Sequence, residues 1–396
     1  MKKKLLIINK SFELGGIQMA LANLLEAICD EYDVTLAVFN PRGPQLERVP
    51  QNVKLLKLSP LVETLGMSYG DCKKFGSISQ KLFKVIGSVW AKIFSNALPL
   101  SIAMASQKHI GHYDVVISYH QEQGPKTLVA GFGKFALEKC SADLKIAWVH
   151  SDFTASNYAE FKAANLATKR NIKTYSRFDK IVGVSKTSIE SFMKQCPALS
   201  DKCDFCYNVI PVKDIIEKSK EENNVFDRAE DTVILFSACR FVTQKGLVPA
   251  LKNIAHVLKN YDNLQWVIAG QGPKEPELRA LIAEHNLQNE VRLIGFKKNP
   301  YPYMREADYL FLPSLHETFG MVAGESQAVG TPVIASDIPI MREVLGKNDF
   351  LCENNDYATV LEMLLKQGKS AVRPVPENTF LDWKVQFERI LECKTP

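Results

Sequence analysis

The chain has 396 residues, of which 46% are hydrophobic, and a formal net charge of +5 at pH 7. This length predicts two or three domains at about 100–200 residues each, and the hydrophobic content is ordinary for a globular protein with a substantial core. So small a net charge gives no indication of a nucleic-acid partner, and none is expected.

Short β-branched runs alternate with longer helical patterns throughout the chain. The first half has predicted strands at residues 5–9, 34–39, 53–58, 114–120, 145–150 and 180–185. The second half has predicted strands at residues 232–238, 264–270, 291–295, 309–314 and 332–336. Strands separated by helical patterns indicate βαβ units and parallel sheets. We therefore expect an α/β protein with two doubly wound, Rossmann-like domains.

A polar stretch at residues 213–232 separates the two series of strands. It predicts domains at residues 1–207 and 208–375, followed by a C-terminal helical segment at 376–396. Ligands of doubly wound sheets bind beyond the carboxyl ends of the strands. The sequence therefore predicts a ligand site in a cleft between the two domains.

The ends of the chain and its cysteines bear on where the protein works. The start, MKKKLLIINKS, predicts a first strand, because its apolar run is shorter than the core of a signal peptide. The nine cysteines are scattered, and Cys196, Cys203 and Cys206 lack a fourth partner at a zinc-like spacing. Free thiols are typical of the cytosol, so we expect a cytoplasmic protein without a metal. No run reaches the roughly 20 apolar residues that a membrane span needs.

Residues 72–112 contain six lysines and neither Asp nor Glu. Within them, residues 80–98 have apolar side chains at helical spacing, together with Lys81, Lys84 and Lys92. A basic amphipathic helix of this kind can lie on an anionic membrane surface. The alternative is a helix whose apolar side packs on the core and whose lysines face water. The pattern leaves both interpretations open.

In the first half, glycines and histidines follow the predicted strands. Gly15 and Gly16 lie between the first strand and an amphipathic helix, where backbone N–H groups can approach an anion or a sugar. His150 ends another strand, and a neutral imidazole there can hydrogen-bond a sugar hydroxyl. His120 and Glu122 occupy a similar position and are weaker candidates.

In the second half, Arg240 and Lys245 flank the loop after its first strand, and Gly246 opens the following helix. A guanidinium, an ammonium and a helix N-terminus together form a diphosphate cradle that needs no metal. The glycine turn at residues 269–273 has no predicted role beyond structure. The backbone at Phe296 and Lys297 is a candidate contact for a nucleotide base.

The stretch HETFGMVAGE, residues 316–325, follows a predicted strand and opens a helix at Gly320. The N–H groups at Gly320, Met321 and Val322 would point toward an anion. Glu325 is predicted to accept hydrogen bonds from the two hydroxyls of a ribose, with Glu317 nearer the sugar or phosphate. The alternative is two surface carboxylates at the start of a helix.

Several of these motifs together resemble the family 4 retaining glycosyltransferases, which have the GT-B fold. The resemblance rests on Glu317 and Glu325 with seven residues between them, the GTPVIAS run at 330–336, and RFVTQKG at 240–246. The segments AGQGP at 269–273 and IGFKKNPYPYM at 294–304 follow the family's order. Gly15, Gly16 and His150 match its N-terminal landmarks, and YNVIPVKDI at 207–215 resembles its domain hinge.

The resemblance implies transfer of a sugar from a nucleotide diphosphate donor, favoured as a UDP-sugar, with retention at the anomeric carbon. Arg240 and Lys245 would neutralise the leaving diphosphate, Glu325 would hold the ribose, and Glu317 and His150 would contact sugars. Gly16 would leave room for the phosphate. The family implies a glycan or lipid-linked acceptor, as in capsule and other surface-polysaccharide biosynthesis, and a peripheral position at the inner membrane face fits such an acceptor.

Two other functions are compatible with the same architecture. A nucleotide-sugar epimerase would need an acid/base set that the sequence does not supply. A non-catalytic nucleotide-sugar-binding subunit would keep the binding residues without turnover. Release of nucleoside diphosphate that depends on an added acceptor distinguishes all three.

Overall fold

The computed structural model describes residues 2–151, 168–367 and 382–392. It divides the chain into two compact units, residues 1–209 with 382–396 and residues 210–381. The predicted division after residue 207 lies two residues before the observed one. The predicted start of the last segment, residue 376, lies outside the described residues.

The first unit contains a seven-stranded parallel sheet in the order β3-β2-β1-β4-β5-β6-β7. Its strands are β1 Lys4–Ser11, β2 Asp33–Asn40, β3 Lys54–Leu56, β4 His112–Ser118, β5 Ser141–Val149, β6 Lys180–Gly183 and β7 Cys203–Phe205. Its helices are Gly16–Ile28, Pro60–Gly66, Tyr69–Phe75, Ile78–Ile93, Ala97–Ala105, Phe132–Glu138, Lys169–Tyr175, Lys186–Gln195 and Trp383–Ile390, with 3₁₀ turns at Pro44–Arg48 and Pro197–Lys202. Leu5 to Ile8 in β1 are fully buried, as expected of a strand covered on both faces.

The second unit contains a six-stranded parallel sheet in the order β10-β9-β8-β11-β12-β13. Its strands are β8 Val233–Ala238, β9 Leu264–Ala269, β10 Val291–Gly295, β11 Tyr309–Leu312, β12 Val333–Ser336 and β13 Phe350–Cys352. Its helices are Val212–Lys218, Leu247–Asn260, Glu275–Glu284, Tyr301–Glu306, Met321–Ala328, Pro339–Val344 and Tyr357–Gln367, with 3₁₀ turns at Thr243–Lys245 and Glu353–Asn355. Trp266, wholly buried, anchors the core beside Phe311.

The prediction of two doubly wound parallel sheets is confirmed. Every predicted strand is present. The edge strands β7 and β13 were not predicted, because acidic residues lie within or directly beside their three residues, whereas the equally short β3 lies in a longer apolar pattern at residues 53–58. The C-terminal helix Trp383–Ile390 groups with the first unit, where the Lys180 ammonium donates to the carbonyls of Ile390, at 3.1 Å, and Glu392, at 2.8 Å.

The basic segment differs from its prediction in two ways. The predicted helix over residues 80–98 begins earlier and ends at Ile93, and a second helix starts at Ala97. Lys84, predicted to be one of the lysines beside a membrane or in water, is buried at 4% exposure. Its ammonium donates to the carbonyl of Met67 at 2.5 Å, so it faces the protein interior.

Among the helices of the described ranges, none has the length and apolar character that crossing a membrane requires.

Candidate functional site

The strand order of the second sheet reverses between β8 and β11. From β8 the chain runs outward through β9 and β10, and from β11 it runs outward in the other direction through β12 and β13. The loops after β8 and β11 therefore start side by side at the carboxyl edge of the sheet, and the chain then continues from them in opposite directions. Such a switch point is where doubly wound sheets bind ligands.

Lys245 and Glu317 meet at this switch point. The Lys245 ammonium and a Glu317 carboxylate oxygen form an ion pair whose side chains are only 15% and 11% exposed. The Ser314 hydroxyl donates to the same carboxylate oxygen at 2.9 Å. The two loops are also joined through Gln244, whose side-chain amide donates to the His316 carbonyl at 3.0 Å. Hydrogen bonds within and between the two loops therefore hold the ion pair in place.

Gly246 permits the close approach of these loops. Its φ of +64° lies in the left-handed region, and a Cβ there would stand 1.9 Å from the Pro313 carbonyl oxygen. No other residue fits this position without moving one loop away from the other. The helix Leu247–Asn260 starts directly after it.

Arg240 lies in the same loop and is exposed. Its guanidinium makes no hydrogen bond or ion pair to any residue that the structure describes. The loop is held by the glycine turn after β9, where the Phe241 N–H donates to the Gln271 carbonyl at 2.9 Å and a Cβ on Gly270 would stand 1.9 Å from the Cys239 carbonyl oxygen. The turn at 269–273, for which only a structural role was predicted, therefore supports the loop of a predicted site residue.

The loop after β11 leads into the helix Met321–Ala328 through Gly320, which has a φ of +79°. The first N–H groups of a helix have no partner within it, and in this helix they belong to Met321 and Val322, which are half-buried. Glu325 lies in the second turn and is 7% exposed. The alternative of two surface carboxylates is wrong, since Glu317 and Glu325 are both largely enclosed.

Phe296 and Lys297 follow β10, at the same carboxyl edge but two strands from β8. Phe296 is 54% exposed. The Lys297 ammonium lies 5.3 Å from the centre of the Tyr303 ring. The structure therefore brings together Lys245, Glu317 and the loop of Arg240, and leaves Phe296 and Lys297 farther along the edge.

In the first unit, His150 follows β5 and is 6% exposed. Its Nε2 lies 2.7 Å from the Tyr119 carbonyl oxygen, which can only accept a hydrogen bond, so Nε2 carries the proton. Burial lowers the pKa of His150 to about 4, and the ring is neutral near pH 7. Nδ1 is then a lone-pair acceptor, as the sequence-based hypothesis for this residue requires.

Gly15 and Gly16 join β1 to the helix Gly16–Ile28, as predicted. A Cβ on Gly16 would meet no atom within 4 Å, whereas one on Gly15 would lie 2.6 Å from the Gln18 side-chain oxygen. An added Cβ at position 15 would meet only the end of a flexible side chain, so packing requires glycine at neither position.

Buried polar atoms without partners mark the switch point of the first sheet, between β1 and β4. The Oδ1 of Asn9, the Oγ of Ser11 and the Nδ1 of His120 are buried and make no hydrogen bond among the described residues. Burial lowers the pKa of His120 to about 3. Sequence reasoning missed Asn9 and Ser11, although two polar side chains at the carboxyl end of an apolar strand were a usable signal.

Glu122, the partner of His120 in the weaker prediction, has a structural role. Its carboxylate accepts from the N–H groups of Gly133 at 2.6 Å and Gly131 at 3.3 Å, at the start of the helix Phe132–Glu138. Burial raises the pKa of this carboxyl. These hydrogen bonds occupy both of its oxygens.

Cysteines and acidic residues offer no metal site in the described part of the chain, where no group of three or more His, Cys, Asp or Glu side chains could hold an ion. The cysteines there are free. Beside Arg240, burial raises the pKa of the Cys239 thiol to about 12, so this thiol is neutral.

Comparisons with known proteins identify a family model and relatives that match part of this chain. Residues 218–377 match the family model of glycosyl transferases group 1. A Campylobacter jejuni protein named N-acetylgalactosamine-N,N'-diacetylbacillosaminyl-diphospho-undecaprenol 4-alpha-N-acetylgalactosaminyltransferase is 31% identical over 181 residues, 44% of this chain and 46% of its own. The O-antigen biosynthesis glycosyltransferase WclY of Escherichia coli is 27% identical over 194 residues, 49% of this chain and 53% of its own. The chain spans about half the length of these curated relatives.

Among solved structures, Anabaena HepE in complex with UDP and glucose has a TM-score of 0.66. The match covers 98% of this chain and 97% of HepE at 16% sequence identity. The structural similarity establishes that the two chains share a fold along nearly their whole length. At so low a sequence identity it establishes the fold alone.

Proposed function

We propose that this chain, whose residues 218–377 match the family model of glycosyl transferases group 1 and which has the GT-B fold, transfers a sugar from a nucleotide diphosphate donor to an acceptor hydroxyl. The observation that carries the proposal is the pair of Lys245 and Glu317 at the switch point of the second sheet. The exposed guanidinium of Arg240 and the helix that opens at Gly320 project from the same two loops.

These groups suit a diphosphate leaving group. Arg240 and Lys245 supply positive charge to the oxygen that becomes negative as the bond to the sugar breaks. The N–H groups of Met321 and Val322 at the helix N-terminus donate to phosphate oxygens. In this proposal the two cations and the helix dipole do the work of a metal ion.

The remaining donor contacts follow from the positions of the two glutamates. Glu325, in the second turn of the same helix, accepts hydrogen bonds from the ribose hydroxyls. Glu317 is held by Ser314 and Lys245 and contacts the donor sugar. The backbone at Phe296 and Lys297 contacts the base. A uridine donor is favoured by the resemblance of residues 294–304 to uridine-type members.

In the first unit, the neutral His150 accepts a hydrogen bond from a sugar hydroxyl through Nδ1. Gly16 has no neighbour within 4 Å of an added Cβ, which fits the close approach of a phosphate or a sugar. Gly15 precedes it at the same strand-to-helix connection.

We propose that transfer retains the anomeric configuration. The bond between the anomeric carbon and the phosphate oxygen breaks, and the acceptor oxygen bonds to the same face of that carbon. The proton of the acceptor hydroxyl passes to the departing phosphate oxygen. This step uses no protein nucleophile and produces a nucleoside diphosphate and the lengthened acceptor.

The relatives support a role in the synthesis of surface polysaccharide. WclY is named for O-antigen biosynthesis, and the name of the Campylobacter protein includes a diphospho-undecaprenol acceptor. We propose a hexosyl- or N-acetylhexosaminyl-transferase that acts on a glycan or lipid-linked acceptor at the cytoplasmic side of the membrane, in capsule or related synthesis.

A panel of nucleotide sugars tests the proposal. Nucleoside diphosphate release is measured with and without pooled lipid-linked and free glycan acceptors, and NMR of the product assigns its anomer. We expect acceptor-dependent release with one donor, retention, and full activity in chelator. Arg240→Ala and Glu325→Ala should weaken donor binding by about 1.5–3 kcal/mol, the range for hydrogen bonds to charged groups, whereas Lys252→Ala, a change at an exposed lysine on the helix Leu247–Asn260, should not.

The contrary outcomes are distinct. Epimerisation of the donor sugar without an acceptor would favour an epimerase. Donor binding without release, across the whole acceptor panel, would favour a non-catalytic subunit. An inverted anomer would refute retention, and donor affinity equal to wild type in Arg240→Ala or Glu325→Ala would refute the assignment of that residue.

A further inference from the structure

The amphipathic helix Ile78–Ile93 is oriented opposite to a helix that packs its apolar face on a core. The side chains that it buries are Gln80, Lys84, Gly87 and Ala91, which are polar or small. A typical surface helix buries its large apolar residues and exposes its polar ones. The hydrophobic face of this helix is therefore exposed instead of packed against the core of its own unit.

The inward face of the helix contacts the rest of the first unit through hydrogen bonds and through a close approach at one glycine. The Gln80 side-chain amide donates to the Pro60 carbonyl at 2.9 Å, and the Lys84 ammonium donates to the Met67 carbonyl at 2.5 Å. At Gly87 an added Cβ would come within 3.2 Å of the Leu128 side chain, so the helix lies close against its neighbours there. Phe83 is half-buried against the core of the unit, and the attachment leaves the other large apolar side chains of the helix outside.

The outward face is a continuous apolar stripe. It consists of Ile78 at 80% exposure, Leu82 at 57%, Val85 at 46%, Ile86 at 64%, Val89 at 53%, Trp90 at 38% and Ile93 at 62%. At 100° per residue these positions fall on one side of the helix, opposite Lys84 and Gly87. Exposed apolar patches of this extent mark interaction sites.

The stripe continues beyond the helix. Phe94 is 62% exposed, and Leu98 and Ile102, on the outer side of the next helix, are 48% and 47% exposed. At the other end, Phe75 is 48% exposed. We call the whole set, from Phe75 to Ile102, the apolar ridge.

Positive charges border the apolar ridge. Lys81 and Lys92 are exposed and lie on one flank of the stripe at helical spacing. Lys73 and Lys74, also exposed, precede the helix. No acidic residue occurs anywhere in residues 72–112. The surface is therefore apolar at its centre and cationic at its rim, without acidic residues in this segment to pair with.

We propose that the apolar ridge docks this protein on an anionic lipid bilayer, with the helix Ile78–Ile93 lying in the interface plane. The apolar side chains enter the boundary between headgroups and acyl chains, and Lys73, Lys74, Lys81 and Lys92 contact anionic headgroups. Charge selects lipid over a second copy of the chain, because dimerisation through this face would bring two sets of positively charged lysines together. The inference goes beyond the proposed function, since docking requires neither donor nor transfer.

Vesicle flotation with the full chain tests the proposal, with phosphatidylcholine vesicles that contain or lack phosphatidylglycerol. Leu82→Gln/Ile86→Gln/Val89→Gln removes the centre of the stripe, and Lys81→Gln/Lys92→Gln removes charge at its flank. Lys194→Gln/Lys252→Gln is the matched control, since it removes the same charge from two exposed lysines elsewhere. Thermal unfolding of each variant checks that the changes, all at exposed positions, leave the fold intact.

We expect wild type to bind vesicles with phosphatidylglycerol and to release them as salt rises. Removing each flanking lysine should weaken binding about five-fold, and the stripe variant should weaken it at least about ten-fold. Trp90 emission should shift to shorter wavelength on binding, and Trp90→Phe should lose the shift while it still binds.

Three results would overturn the proposal: no binding of wild type to the anionic vesicles, binding of the stripe variant at wild-type strength, or equal losses in Lys81→Gln/Lys92→Gln and its control. A wild-type dimer that becomes monomeric in the stripe variant, without vesicle binding, would identify a second copy as the occupant. The measurement uses no nucleotide, so its result tests membrane docking independently of the proposed transfer reaction.

Discussion

Lys245 and Glu317 form an ion pair across two loops that follow neighbouring parallel strands, β8 and β11. The ammonium has three N–H donors, so it can keep the carboxylate and still donate to a phosphate oxygen. In the proposed transfer reaction, Glu317 would thereby fix the direction of Lys245 before a donor arrives. Pre-organisation of this kind lowers the cost of binding, because the long lysine side chain is already ordered.

A double-mutant cycle should measure this coupling. Lys245→Met and Glu317→Gln should each destabilise the protein by about 1–3 kcal/mol, because each leaves a largely enclosed partner without its counter-charge. The double variant should lose less than the sum, with a coupling energy of about 0.5–3 kcal/mol. Urea unfolding checks stability, and calorimetric titration with nucleoside diphosphates checks affinity. Strict additivity in both measurements would show that the pair is not coupled.

Gly246 and Gly330 form a matched pair for testing the close approach of the loops. Both have positive φ, +64° and +78°, but an added Cβ meets the Pro313 carbonyl at 1.9 Å in the first and no atom within 4 Å in the second. Gly330→Ala should cost about 1–2 kcal/mol from backbone strain alone. Gly246→Ala should cost clearly more and should weaken binding of nucleoside diphosphates, since it separates the loops. Equal unfolding midpoints and unchanged affinity would contradict this account.

His150 should make stability depend on pH. Burial lowers its pKa to about 4 from the ordinary value of 6.5, so between these values the unfolded chain binds the proton and the folded chain does not. Stability is therefore complete above pH 6.5 and falls as pH decreases toward 4, by about 3 kcal/mol for this residue. Urea unfolding across that range should give a shallower pH dependence for His150→Gln than for wild type. Parallel curves would show that this residue does not cause the dependence.

The fold was predictable because hydrophobic pattern decides it. Runs such as Leu5 to Ile8 have no polar position, and such short apolar runs are typical of strands that are covered on both faces. The glycines were also informative, as at Gly320, which has the positive φ that a turn into a helix requires. The edge strands β7 and β13 were not predictable, since acidic residues interrupt or flank their three residues, whereas the equally short β3 lies in a six-residue stretch with four apolar positions.

The candidate site was predictable as a set of residues but not as a set of contacts. Strand ends located Lys245 and Glu317 at one sheet edge, but their ion pair depends on loop geometry that Gly246 permits. The unpartnered atoms of Asn9 and Ser11 were missed because a single strand does not reveal which strand lies beside it. In these cases long-range packing, which local sequence does not encode, determined the outcome.

Lys84 shows the same limit and provides a sharp test. Helical spacing predicted an outward lysine, but burial lowers its pKa to about 8, and its ammonium donates to a backbone carbonyl inside the first unit. Lys84→Glu should destabilise the protein by at least about 3 kcal/mol, because a buried carboxylate would replace a hydrogen-bonded cation among carbonyl oxygens. Lys81→Glu and Lys92→Glu, on the same helix but exposed, should change stability by no more than about 0.5 kcal/mol. Urea unfolding of the three variants separates the effect of burial from the effect of charge, because each variant replaces one lysine by glutamate. A loss of stability of similar size in all three would refute the inward orientation of Lys84.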